Sequence, residues 1–182
     1  MIITISGNLS SGKSTVAEWL AKELGYKYYY AGSIQRELAK KHGMSINKFQ
    51  ELEAKDPKWD REVDDYFVKL GKKYNLIADS HLAFHFIPNS LKIFLDVKFD
   101  VAVERRWKQL PHTAHRNEGE FKTKKALAKA LKERLEMNRE RWKRYYGVDA
   151  YDKSNYDIVI DTTKLTIPQV EKKVLEEVKK HF

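Results

Sequence analysis

Short apolar runs alternate along the chain with longer segments of helical periodicity. The runs are rich in β-branched and aromatic residues, which favour strands, and they lie at residues 2–5, 28–30, 76–78, 91–95 and 158–160. Apolar side chains in the intervening segments recur every three or four residues, as in helices with one buried face. The alternation predicts an α/β fold, in which a mainly parallel sheet is covered by helices on both faces.

Helices are predicted in succession between the second and third strands. Gly32 and Ser33 are expected to cap one that runs to about residue 42, and Ser45 to cap another that runs to about residue 54. A further helix follows the break at Asp56 and Pro57. Later in the chain we predict helices over residues 100–109 and 118–145, and a C-terminal amphipathic helix that carries Val170, Val174 and Val178.

The loop after the first strand carries the most specific pattern in the chain. Residues 7–14 read Gly-Asn-Leu-Ser-Ser-Gly-Lys-Ser and match G-x-x-x-x-G-K-[ST], between a predicted strand and a predicted helix, as that motif requires. Backbone N–H groups of such a loop surround phosphates, Lys13 can reach the β- and γ-phosphates, and Ser14 can bind Mg²⁺. We therefore predict that ATP or GTP binds through Gly7, Asn8, Leu9, Ser10, Ser11, Gly12, Lys13, Ser14 and Thr15.

Composition narrows the class of protein. The 182 residues suit one domain, and 42% hydrophobic residues can form a packed core. The net charge of +9 points to anionic partners such as nucleotides, and the absence of cysteine excludes zinc–thiolate sites and thiol nucleophiles. The sequence shows neither a secretory leader nor an apolar run of about 20 residues. We expect a cytoplasmic monomer with no membrane partner, and nucleic acid is the less favoured anionic partner.

Four segments together resemble the archaeal-type cytidylate kinases. They lie at residues 31–39, 41–45, 141–149 and 152–162. The resemblance implies the nucleoside monophosphate kinase fold, which has a five-stranded parallel sheet, a helical acceptor-binding insert at about 32–74 and a lid at about 106–120. It also implies the Mg²⁺-dependent transfer of a phosphoryl group from ATP to CMP or dCMP.

The resemblance further assigns residues that bind the acceptor. Arg36, with Ser33 beside it, would hold the acceptor phosphate as a bidentate donor. Arg134 and Arg141 would lie on one face of the long helix, where Arg141 would also contribute to catalysis. Between them, Asn138 stands where the family pattern has a carboxylate, which leaves the preferred base open.

Two further parts of the pattern concern the third strand and the lid. Where the family usually reads E-G-R, this chain has Asp79-Ser80-His81. Asp79 keeps a carboxylate that could hold Mg²⁺ through water, whereas acceptor-phosphate binding by His81 would be weaker than by arginine, or pH-dependent. Arg105 and Arg106 precede the Pro-, His- and Arg-containing stretch at residues 111–116 of the lid, and they are expected to neutralise charge on the transferred phosphoryl group.

Other interpretations remain open at this point. Asp60 and Asp64 lie one turn apart, and a solvent-exposed acidic face is favoured over contacts with the acceptor sugar or base. The chain could be a P-loop kinase for AMP or another small acceptor. It could also be a degenerate regulatory ATP-binding protein whose basic surface contacts RNA or a protein partner.

Overall fold

The sheet is built from parallel strands whose apolar residues face both sides. A computed structural model describes residues 1–110 and 121–182. Within them the strands are β1 (Ile2–Gly7), β2 (Lys27–Tyr30), β3 (Leu76–Asp79), β4 (Leu91–Asp96) and β5 (Ile158–Asp161). They form one five-stranded sheet in the order β2-β3-β1-β4-β5, and every pairing is parallel. The expected five-stranded parallel sheet is thus confirmed.

Helices connect successive strands and cover the sheet. Those in the described residues are α1 (Lys13–Leu24), α2 (Ala31–Lys41), α3 (Ile46–Lys55), α4 (Pro57–Leu70), α5 (Ala83–Phe86), α6 (Phe99–Gln109), α7 (Lys124–Tyr146) and α8 (Ile167–Lys179). A short 3₁₀ turn occupies Lys153–Asn155. In the described part of the chain, no helix combines the length and apolar character needed to cross a membrane.

Alternate residues of β1 enter different cores, which shows that both faces of the sheet are covered. Ile3 and Ile5 pack in the same cluster as Val174 of α8. Ile2 packs on the opposite side, in the cluster that contains Phe49 of α3 and residues of α2 and α4. The helices α2, α3 and α4, which follow β2 and precede β3 in the chain, therefore form a unit that is anchored on one face of the sheet.

Two helix starts differ from the sequence prediction. Helix α2 begins at Ala31, and the hydroxyl of Ser33 donates a hydrogen bond to the Tyr30 carbonyl at 2.8 Å, so Ser33 lies inside the first turn and does not cap the helix. Helix α7 begins at Lys124 and not at residue 118, because the Thr123 hydroxyl accepts from the Ala126 N–H at 3.1 Å and caps it there. Residues 111–120, which include most of the predicted lid, lie outside the described residues.

The order of the strands places the site. Strand β1 lies between β3 and β4, so the loop after β1 is flanked by the carboxyl ends of both neighbours. In open parallel sheets, ligands bind in the crevice at this edge. Residues at the ends of β1, β3 and β4, and on the helices that overhang them, are therefore the candidates for a binding site.

Candidate active site

The loop between β1 and α1 has the backbone of a phosphate cradle. Ser10 and Gly12 both have left-handed backbone conformations, with φ values of 59° and 87°. Gly7 approaches β4 so closely that a Cβ atom would lie 2.5 Å from the Leu95 carbonyl oxygen. Helix α1 begins at Lys13, so the free N–H groups of its first turn point towards the loop. This geometry fits a chain of phosphates.

A carboxylate at the end of β4 anchors the loop. Asp96 accepts a hydrogen bond from the Asn8 side-chain amide at 2.5 Å and also pairs with Lys153. On the far side of the loop, the Thr162 hydroxyl lies 3.3 Å from the Ser11 carbonyl. Neither Asp96 nor Lys153 was predicted from the sequence, although a carboxylate that directly follows a predicted strand is a signal for such a contact.

At the end of β3, Asp79 is held from two sides. It is only 2% exposed; Oδ1 pairs with the Lys13 ammonium and Oδ2 accepts from the Tyr28 hydroxyl at 3.0 Å. Burial, followed by the charge of Asp79, raises the pKa of Tyr28, whereas the nearby Ser14 lowers it. Tyr28 therefore stays a neutral donor to Asp79 and lies close to Ser14, and these are the two residues predicted to hold magnesium. Its role was not evident from the sequence.

The donor set fits a metal that is held together with phosphates. Within residues 1–110 and 121–182, no group of three or more His, Asp or Glu side chains is arranged to bind a metal by itself. Magnesium in kinases normally takes one or two protein oxygens and completes its shell with water and substrate phosphates. Asp79 and Ser14 can supply such oxygens.

His81 lies where the family pattern has an arginine, but its surroundings disfavour a charged ring. Its ring packs against Trp142, with centroids 5.3 Å apart, and against Tyr151 at 5.7 Å. Burial, assisted by the charges of Lys13, Arg134 and Arg141, holds the pKa of His81 well below its ordinary value. We therefore expect a neutral imidazole near pH 7, and the pH-dependent phosphate contact suggested by the sequence is not expected there.

Arg36 projects from α2 at the end of β2. Its guanidinium lies over the Tyr30 ring, 5.2 Å from the centroid, and that ring stacks on Tyr28 at 5.8 Å. The stacked rings of Tyr30 and Tyr28 thus lie between the Arg36 guanidinium and Asp79, to which the Tyr28 hydroxyl donates. The arrangement is compatible with the predicted phosphate-binding role of Arg36, while Ser33 uses its hydroxyl within the first turn of α2.

Helix α7 faces the insert with its predicted cationic surface. Arg134 is exposed, and Asn138 is half-buried next to Tyr151. Burial raises the pKa of Tyr151 to about 12, although the nearby charge of Arg134 acts to lower it. Arg141 reaches across to α4, where its Nε lies 3.8 Å from Oδ2 of Asp60. The structure therefore brings Arg134, Asn138 and Arg141 to one wall of the cleft.

The expected solvent-exposed acidic face on α4 is wrong. Asp60 is only 7% exposed, and Asp64 accepts a hydrogen bond from Tyr146 of α7. Glu53 of α3 is also buried and accepts from the Gln35 amide at 2.8 and 3.0 Å. Burial is the main reason that the pKa values of Glu53 and Asp64 are each raised to about 7. These acids turn inwards because Arg141 and Tyr146 approach from the opposite helix.

The two neighbouring arginines near the end of α6, Arg105 and Arg106, occupy different environments. Arg105 donates to the Thr162 hydroxyl at 3.0 Å and to the carbonyls of Thr162 and Leu165 at 2.6 and 3.3 Å. It thereby ties α6 to the loop after β5, one contact away from the carbonyl of Ser11. Arg106 is only 6% exposed. Their predicted contact with the transferred phosphoryl group stays a prediction.

Comparisons with known proteins agree with this geometry. The model of the cytidylate kinase-like family matches residues 2–80, and that of the cytidylate kinase family matches residues 54–180. A cytidylate kinase of Pyrococcus abyssi is 39% identical over 165 residues, which cover 90% of this chain and 86% of that protein.

Two more distant similarities concern a longer protein and a solved structure. An S-adenosylmethionine-dependent nucleotide dehydratase of Lacinutrix mariniflava is 35% identical over 180 residues, 98% of this chain but only 36% of that protein. The crystal structure of shikimate kinase from Aquifex aeolicus superposes with a TM-score of 0.61 at 20% identity, covering 100% of this chain and 98% of that one, which supports the fold alone. With the sequence relatives and the phosphate-binding loop taken together, the chain belongs to the cytidylate kinase family and is a nucleoside monophosphate kinase.

Proposed function

We propose that the protein transfers the γ-phosphoryl group of ATP to CMP or dCMP, with Mg²⁺, and releases ADP and the cytidine diphosphate. One observation carries the proposal: Lys13 of the phosphate cradle pairs with Asp79, which is close in the chain to His81, and the pKa of His81 is lowered by burial and by the charges of Lys13, Arg134 and Arg141. This proximity supports a site in which donor and acceptor groups would meet at one edge of the sheet. The family relationship supports a nucleoside monophosphate as acceptor.

The chemistry needs little beyond position and charge. An oxygen of the acceptor phosphate would attack the γ-phosphorus while the bond from that phosphorus to the β–γ bridging oxygen breaks, and ADP leaves with the electron pair. The acceptor phosphate is mostly a dianion at neutral pH, since its second pKa is about 6, so a protein base is not required. Catalysis then rests on aligned groups and on neutralisation of the phosphate charges.

Most of the predicted residues have a role in this scheme. Lys13 would leave Asp79 for the β- and γ-phosphates, Ser14 and Asp79 would hold Mg²⁺, and that ion would neutralise phosphate charge. Arg36 would hold the acceptor phosphate with Ser33 and His81, and α7 would contact the rest of the acceptor through Arg134, Asn138 and Arg141. For Arg105 to reach the transferred group, its bonds to Thr162 and Leu165 would have to open.

We also propose that the enzyme acts in the cytoplasm as a monomer, because its substrates would be soluble nucleotides and every group named above comes from one chain. Sedimentation or light scattering would test the monomer.

The activity is tested by ADP formation from Mg²⁺ and ATP with CMP, dCMP, UMP, AMP and GMP in parallel. We expect rapid turnover with CMP or dCMP, and a Lys13→Ala variant supplies the blank. Preference for AMP would contradict the proposed acceptor. If no monophosphate raises turnover while RNA stimulates slow ATP hydrolysis, the regulatory interpretation replaces the kinase.

A further inference from the structure

The entrance of the phosphate cradle is held by the end of β4. The Asn8 N–H donates to the Leu95 carbonyl at 3.1 Å. The Asn8 side-chain amide donates to Asp96 Oδ1 at 2.5 Å and to the Val97 carbonyl at 3.3 Å. A primary amide has two N–H hydrogens, and these two acceptors can use both of them. Three successive residues therefore fix the backbone and the side chain of Asn8.

The residue held in this way begins a tight turn. The Asn8 carbonyl accepts from the Ser11 N–H at 3.2 Å, and between them Ser10 has a left-handed backbone with a φ of 59°. Residues with a Cβ atom rarely adopt this conformation, and it persists only where the surroundings fix it. In the part of the chain that the structure describes, the N–H groups of Leu9 and Ser10 donate to no backbone carbonyl. They are thus available to phosphates.

Asp96 is suited to hold Asn8 because its own carboxylate is fixed. Oδ1 also accepts from the Val97 N–H at 2.9 Å, and Oδ2 pairs with the Lys153 ammonium. A hydrogen bond to a carboxylate is stronger than one between neutral groups. The bond to Asp96 is also the shortest of the four that hold Asn8. Its loss would therefore release the residue from which the strained turn starts.

We propose that Asp96 is a positioning residue for the donor nucleotide. It holds Asn8, Asn8 starts the strained turn, and the turn aims the N–H groups of Leu9 and Ser10 at the phosphates of ATP. Asp96 itself touches neither substrate and acts through Asn8. This inference rests on the proposed function and adds to it a residue at the end of β4 that sets the affinity for the donor.

The test is a double-mutant cycle on ATP binding. Calorimetric titrations with Mg²⁺ and ATP, without an acceptor, compare the wild type, Asp96→Ala, Asn8→Ala and the variant that carries both changes. We expect each single variant to bind ATP about tenfold more weakly. The double variant should bind no more than about twofold more weakly than either single variant, because both changes remove the same hydrogen bond. Effects that multiply would show that the two residues act independently and would overturn the inference.

Two conservative variants separate positioning from a general effect of charge. Asp96→Asn keeps a carbonyl oxygen that can accept from Asn8 but loses the charge that attracts Lys153, and it should stay within about threefold of the wild-type affinity. A loss as large as that of Asp96→Ala would assign the effect to the ion pair and overturn the inference. Asp161→Asn is the matched control, because Asp161 lies opposite Asp96 in the register of β5 and accepts from the Thr163 N–H at 2.8 Å. It should bind ATP as the wild type does, and an equal loss there would also contradict the inference.

Kinetics and folding controls distinguish this inference from the proposed function. With CMP as acceptor, Asp96→Ala should raise the KM for ATP about tenfold and leave the KM for CMP within about twofold, whereas a lower kcat with both KM values unchanged would overturn the inference. If the wild type binds ATP but phosphorylates no monophosphate, the proposed function fails and the titrations still decide the role of Asp96. If it binds no ATP, both fail. Wild-type affinity of Asn8→Ala would overturn the inference by itself, even if the Asp96→Ala protein does not fold.

Discussion

Glu53 makes the stability of the protein depend on pH in an unusual direction. Its carboxyl is only 3% exposed, and burial is the main cause that raises its pKa from 4.5 to about 7, with Asp60 and Asp64 adding to the effect. Gln35 and Arg141 act against the rise. Between these two values the folded protein keeps a proton that the unfolded chain has lost. The free energy of unfolding must therefore fall as the pH rises from about 4.5 to about 7.

The size of the effect follows from the two pKa values. The difference between 4.5 and about 7 corresponds to about 3 kcal/mol, since each pKa unit is worth about 1.4 kcal/mol. Replacement by glutamine keeps the shape and most hydrogen-bonding capacity but cannot ionise. The free energy of unfolding of Glu53→Gln minus that of the wild type should therefore be about 3 kcal/mol higher at pH 8 than at pH 5.

Urea denaturation at pH 5 and pH 8, without nucleotide, measures this difference. Other groups titrate over the same range, so the informative quantity is the change between variant and wild type. Glu51→Gln is the matched control, because Glu51 lies exposed on the same helix and pairs with the exposed Lys48 at 3.4 Å. If Glu53→Gln and the wild type keep a constant difference at both pH values, the carboxyl does not gain a proton on folding and the reasoning is refuted.

Further predictions concern the nucleotide side. Tyr28→Phe removes the hydrogen bond to Asp79 and should weaken Mg²⁺-dependent ATP binding about fivefold to tenfold in calorimetric titrations, while ATP binding without Mg²⁺ stays unchanged. Gly7→Ala places a Cβ 2.5 Å from the Leu95 carbonyl and should abolish ATP binding in the same assay; wild-type affinity would show that the loop can shift at no cost. Arg105→Ala loses its bonds to the loop after β5 and should lower the free energy of unfolding by about 1–3 kcal/mol, and an unchanged melting temperature would contradict this.

Local features of the fold could be predicted from the sequence. The cradle depends on glycine positions and on a strand before a helix, and both are encoded within about a dozen residues. The strands followed from apolar runs that are buried on both faces. Even the errors at the helix starts were local, since Tyr30 and Thr123 occupy the cap positions in place of the residues expected.

Contacts between distant segments could not be predicted in the same way. Asp60 and Asp64 read as a polar stripe on α4, and only the approach of Arg141 and Tyr146 from α7 makes their burial possible. The bond between Tyr28 and Asp79 joins residues 51 positions apart. Such pairings depend on how the helices overhang the sheet, which a single sequence does not encode in its periodicity.

The change at Asn138 has a structural consequence for the cleft. In the family pattern a carboxylate at this position would stand between Arg134 and Arg141, on the same face of α7. With an amide there, Arg141 pairs instead with the carboxylate of Asp60, which lies within 4 Å on the opposite wall. The attraction that balances Arg141 therefore also draws the insert towards α7.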